Sequence, residues 1–148
     1  MDRKQVFYCF NDICDWDKCG EDDLVVKPVI EYLSKLEDEE IFAFDDIMAE
    51  LLYELDSRKL FELAKKYDKN VSDDSFLYSR CVGIMNGEEY FKAALQGKVA
   101  DLWKMEFEAA LYVPSQAWAL KHGKDPSEYP HVTPLCIETG SNAEKWKA

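Results

Sequence analysis

The 148 residues carry 47% hydrophobic and 14% aromatic side chains with a net charge of −12. That composition excludes wholesale disorder, and the charge disfavours general binding to a phosphate backbone. No apolar run approaches the roughly 18–20 residues of a membrane span, so neither nucleic acid nor a membrane is an expected partner.

The first stretch, Met1 to Trp16, lacks the long apolar region and cleavage site of a secretion signal. Five cysteines, an odd number, leave at least one thiol unpaired. A cytoplasmic, reducing location is the expectation.

In chain order, Val6, Phe7, Phe10, Ile13 and Cys14 recur at helical spacing and predict a first helix ending near Cys19-Gly20. Leu24, Val25, Val29, Ile30, Leu33 and Leu36 predict a second, with Pro28 in its opening turn. The third signal is the clearest. Ile41, Phe44, Met48, Leu51, Leu52 and Leu55 share one sector of a helical wheel, and Asp38-Glu39-Glu40 favour the dipole of its first turn. Leu60 to Tyr67 predicts a short helix ending in basic residues. Ser72-Asp73-Asp74 starts another that stops at Asn86-Gly87, and Glu88 to Leu95 forms a further one before Gly97. Leu102 to Leu120 reads as helical with a break or kink at Pro114. From His122 the chain holds Pro126, Pro130 and Pro134 and loses the period. The expectation is an all-α, single-domain multi-helix bundle over residues 1–121. An irregular, proline-containing C-terminal arm, 122–148, packs on the same domain.

Motifs for catalysis are missing. No H-E-x-x-H, P-loop or dinucleotide fingerprint occurs, and no nucleophile elbow. Cys9, Cys14 and Cys19 are spaced by five, unlike zinc or iron–sulfur ligands. No metal and no cofactor is expected. Asp73 and Asp74 form the best carboxylate pair. A helix cap and a first-turn acid explain them, and metal ligation or general-base work is the alternative. Arg80, in an apolar segment, calls for a carboxylate partner if it is buried.

Acidity is concentrated. Residues 1–74 hold 21 acids and 10 bases, residues 75–148 hold 9 and 8, and nine acids without one base lie between Glu37 and Ser57. On the third helix Glu39, Phe42, Asp46, Glu50 and Tyr53 fall opposite the apolar sector. A solvated face is the bland explanation. Aromatics set among acids, however, are typical of interface surface, which makes the stripe the candidate partner-binding face.

The block Ser72 to Leu95, SDDSFLYSRCVGIMNGEEYFKAAL, resembles the signature of a bacterial family known only as domain of unknown function 4240. The likeness rests on serine-Asp-Asp, then Phe76, Tyr78 and Arg80, then Gly87 and Phe91 with Ala94-Leu95. Weaker similarity extends from Leu36 to Ala119. Val82 and Ser79 stand where the family usually has aromatics, and Leu60 and Phe61 where it has tryptophans, which points to a remote member. The resemblance implies an α-helical domain and brings no reaction with it.

Three functional expectations follow. The first is a non-enzymatic domain that neutralises or regulates a basic protein through its acidic helical face. Bacterial immunity proteins, which neutralise a cognate toxin, are the analogy by size and charge. The second is a small enzyme or metal- or anion-binding domain centred on Asp73, Asp74 and Arg80. The third is a regulatory ligand-binding domain using Tyr78, Tyr90, Trp103 and Trp118.

Overall fold

The strongest helical period of the sequence forms the longest helix, Asp38–Glu54. In the computed structural model, which describes residues 3–147, it is the third of eight α-helices: α1 Arg3–Asn11, α2 Asp22–Leu33, α3 Asp38–Glu54, α4 Arg58–Tyr67, α5 Asp73–Ile84, α6 Glu88–Leu95, α7 Val113–His122 and α8 Ala143–Trp146. Four short 3-10 segments complete the secondary structure, and the described residues contain no strand. The protein is all-α.

The chain divides into two units, with one boundary inside α3. The first comprises residues 1–47 and 108–134, the second 48–107 and 135–148. In the first, α2 packs on α7, and Phe7, Val25, Val29, Leu33, Ile41, Phe44, Val113 and Ala117 are buried together. In the second, α5 is the central element, packed on α6 and on the 3-10 segment Ala100–Lys104. Leu51, Leu52, Leu55, Leu60, Phe76, Cys81, Ile84 and Leu102 are fully enclosed there. Gly83 explains how α5 gets so close. A Cβ at this position would sit 2.9 Å from Leu55 Cδ1, so any larger residue would force the Leu55 side chain to shift.

Three element boundaries differ from the expectations. The first helix ends at Asn11, and Trp16–Lys18 is a separate 3-10 turn. Pro28 lies inside α2 rather than in its opening turn. Proline there removes the bond to the carbonyl four residues earlier. That carbonyl belongs to Leu24, an exposed residue, where water can take the place of the lost N–H. The 102–120 segment is not one helix. It forms two 3-10 segments, Ala100–Lys104 and Glu108–Tyr112, before α7 begins with Pro114 in its first turn, the position proline tolerates best. Gly123, with φ +63°, then closes α7 in the left-handed conformation.

All five cysteines are thiols. Cys9, Cys19 and Cys136 are exposed, while Cys14 and Cys81 are buried. Burial pushes the Cys14 thiol up to about 11, so it carries almost no thiolate near neutrality. Iodoacetamide at pH 8 is therefore expected to modify three thiols in the native protein and five after denaturation, counted by intact-protein mass. Native labelling of Cys14 or Cys81 would contradict this packing.

Candidate functional site

In the first unit, the polar side of α3 is occupied by the protein's own C-terminal arm. Phe42 stacks on the His131 imidazole, with ring centres 4.7 Å apart and planes 11° from parallel. It also meets Tyr129 edge-on at 5.8 Å. His131 Nε2 lies 2.7 Å from Asp46 Oδ1, and the Tyr129 hydroxyl donates to Asp45 at 2.9 Å. At the start of α3, Asp38 accepts from Lys121 Nζ at 2.8 Å and from His122 Nε2 at 3.0 Å. Those two donors hold the Asp38 carboxyl below its usual range. Burial raises Asp45 instead, with the Tyr129 hydrogen bond and the His131 charge opposing the rise. Desolvation and the neighbouring Asp45 also push the Tyr129 phenol above its ordinary value.

The candidate stripe is thus divided by environment. Glu39 is exposed, whereas Phe42 and Asp46 are half-buried against the arm. Phe42 is consequently not an unpartnered aromatic facing water. A wheel reading of α3 in isolation cannot see the arm, whose Tyr129 and His131 reach Asp45 and Asp46 from 84 and 85 residues away. In the second unit, Glu50 and Tyr53 are half-buried, and the Tyr53 carbonyl accepts from Asn142 Nδ2 at 2.9 Å.

The second candidate cluster is also rearranged. Ser72 caps α5: its side chain accepts from the Ser75 N–H at 3.0 Å, and the Ser75 hydroxyl accepts from the Ser72 N–H at 2.8 Å. Asp73 and Asp74 are exposed first-turn acids, not the cap. The capping contribution, about 1 kcal/mol, therefore belongs to Ser72. Arg80 is fully buried at 0% exposure. It donates from Nη1 to the Leu52 carbonyl at 2.9 Å, and from Nη2 to the Ile137 carbonyl at 2.9 Å and to Thr139 Oγ1 at 3.2 Å. Its guanidinium also lies over the Phe76 ring, 4.9 Å from the centre. The Thr139 hydroxyl in turn donates to the Asp73 carbonyl at 2.7 Å. Asp73 is thus joined to Arg80 through its main chain and not its carboxylate, and Arg80 is sealed from substrate.

Desolvation pulls the Arg80 guanidinium below its ordinary range, and the charge that opposes the pull most strongly is Asp56. Asp56 is the residue the sequence reading missed. It is 0% exposed, and its two oxygens accept from the Gly140 and Asn142 N–H groups at 3.0 Å each and from Trp146 Nε1 at 2.7 Å. A buried anion collects three hydrogen bonds from the arm, and a buried cation two bonds from the same arm. Nothing local marks Asp56, since it sits in an acid run that reads as surface charge.

The tryptophans of the third expectation are each packed within their own unit. Trp103 stacks on Phe76 in the second unit, while Trp118 packs on His122 and Tyr129 in the first. No group of three or more His, Cys, Asp or Glu side chains suited to a metal occurs among the described residues. No helix among them is long and apolar enough to cross a membrane.

A family model described as a protein of unknown function (DUF4240) matches residues 3–120, a span that includes the Ser72–Leu95 block. The chain belongs to that family. No curated protein and no solved structure matches it. In this DUF4240 member the matched region ends two residues before the close of α7. The arm that occupies the α3 face, and that binds Asp56 and Arg80, lies beyond it.

Proposed function

We propose that this DUF4240 domain binds a positively charged protein, with the acidic surface of its first unit steering the approach. The observation that carries the proposal is the charge left over once internal pairs are taken out. The first unit holds 17 acids against 7 bases, a net of −10, and the second 13 against 11. Asp38, Asp45 and Asp46 are engaged by Lys121, His122, Tyr129 and His131. Asp12, Asp17, Glu21, Asp22, Asp23, Glu31, Glu37, Glu39 and Glu40 are all exposed. Uncompensated acids in such number oppose compaction and speed encounter with a cationic surface. Neutralising a basic toxin, in the manner of an immunity protein, is a role that this charge would serve.

The internal pairs change how the proposal is tested. Asp46→Lys would break the His131 contact, and Phe42→Ala would remove the ring on which His131 stacks, so both would disturb the arm as well as any partner. Glu37→Lys and Glu39→Lys keep those contacts, since both side chains are exposed and act on the arm only through the charge of Lys121. Partners are captured from native lysate at low and moderate salt, and association is then followed with the purified partner. The double reversal is expected to slow association several-fold while circular dichroism stays unchanged, with dissociation little affected. Binding that ignores both salt and the reversals would refute the acidic surface.

A further inference from the structure

Between α1, α2 and α3 of the first unit lies an open groove of about 310 Å³. Val6, Phe7, Phe10, Tyr32, Leu36 and Phe44 line it, together with Ala43 and Ile47, and its two charged groups are Glu40 and Arg3. Phe7, Phe44 and Ile47 form a buried floor, while Val6 and Tyr32 are 39% and 47% exposed. Phe10 meets Tyr32 at 5.4 Å and 61°, and meets Phe44 at 5.3 Å and 74°. Rings at such distances and angles pack edge to face, so the three form one continuous aromatic surface. An aromatic surface, aliphatic side chains and the Glu40 carboxylate make the chemistry that recognises an alkylammonium group through its attraction to aromatic rings.

We propose that this groove receives the alkylammonium side chain, a lysine or an N-methylated lysine, of the basic protein partner. This rests on the acidic-surface reading above and gives it a point of attachment. The volume is at the small end of the roughly 300–1,000 Å³ typical of ligand pockets, which suits one long side chain better than a whole metabolite. Charge selects the cation. Glu40 lies in the lining, and the neighbouring Glu37 and Glu39 are exposed in a unit of net charge −10. The stem would lie along Val6, Leu36 and Ile47, and the head against Phe10, Tyr32 and Glu40. Arg3 is the opposing charge in the lining, and it tunes the site downward.

The test uses choline and its uncharged isostere 3,3-dimethylbutan-1-ol, titrated into the full chain and followed by the ring resonances of Phe10 and Tyr32. Choline is expected to shift both rings and to bind at least tenfold more tightly than the alcohol. Glu40→Gln and Tyr32→Leu, at exposed positions that leave circular dichroism unchanged, should each weaken choline severalfold, and Glu40→Gln should do so without altering the alcohol. Arg3→Gln should tighten choline. A second arm compares a twelve-residue peptide bearing one trimethyllysine with the same peptide bearing norleucine, and the lysine peptide should bind more tightly. Equal binding of choline and its isostere, or shifts confined to other residues, would overturn the cation site. Choline binding without preference for the lysine peptide would overturn the protein source and assign the groove to a free organic cation. If a basic partner still binds the Glu40→Gln/Tyr32→Leu variant at full affinity but loses association rate with Glu37→Lys/Glu39→Lys, the groove fails and the acidic surface stands.

Discussion

Arg80→Ala is expected to destabilise the second unit by about 3–5 kcal/mol, the cost of stranding one member of a buried charged network. The Leu52 and Ile137 carbonyls and the Thr139 hydroxyl would lose their donor together. Asp56, itself fully buried, would lose the positive charge on which it acts more strongly than any other group does. Truncation to alanine also leaves a void against Phe76, and core voids add to the penalty. Domains of this size are stable by only about 5–15 kcal/mol, so the variant would lie near its unfolding threshold. Urea denaturation monitored by circular dichroism gives the number. Arg80→Lys is the informative companion. A single ammonium cannot span two carbonyls and a hydroxyl as the guanidinium fork does, so lysine should recover only part of the loss. A loss below about 1 kcal/mol for Arg80→Ala would show that Asp56 is compensated by other groups and would remove Arg80 from the centre of the network.

The elements legible in the sequence are those with local causes. α3 follows from an apolar sector under three first-turn acids, and α5 from a Ser72-Asp73-Asp74 start, although its cap is Ser72 and not an aspartate, with Asn86-Gly87 at its end. Arg80 was recognisable as a buried charge because every neighbour on its helix is apolar or small. Its partners were not, because carbonyls carry no sequence signature and Ile137 and Thr139 lie 57 and 59 residues away. The same distance hid the arm. Residues 122–142 have no helical period, yet Tyr129, His131 and Asn142 each find a polar group on α3, which no wheel of α3 alone contains. For that reason the wheel places Phe42 in water, whereas the ring is half-buried against Tyr129 and His131. The acid is concentrated in the first half of the chain, and the structure divides it into carboxylates held internally and carboxylates left in water.

Asp56→Ala carries the second large effect, and its reach extends to the C-terminal residues. One carboxylate gathers the N–H groups of Gly140 and Asn142 and the indole N–H of Trp146. The two main-chain donors flank Ser141, and the indole brings α8 against α4, where Trp146 meets the Phe61 ring at 5.4 Å. With alanine, three donors lose their acceptor at about 1–3 kcal/mol each where they remain buried, and Arg80 loses its opposing charge. Residues 140–147 can escape part of that penalty by detaching into water. The expected outcome is therefore a loss of about 3–4 kcal/mol, with local release of the segment rather than uniform weakening. Hydrogen exchange should show the amides of Gly140 and Asn142 losing protection first, and the Trp146 indole signal should move toward its unfolded position. Asp56→Asn keeps the volume and one acceptor oxygen but turns an N–H toward a donor, so it should fall between alanine and wild type. Combining Asp56→Ala with Arg80→Met tests the pairing itself. If the two buried charges compensate each other, the double variant should cost at least 1 kcal/mol less than the sum of the single losses. Strict additivity would mean that each charge is satisfied by its own hydrogen bonds alone.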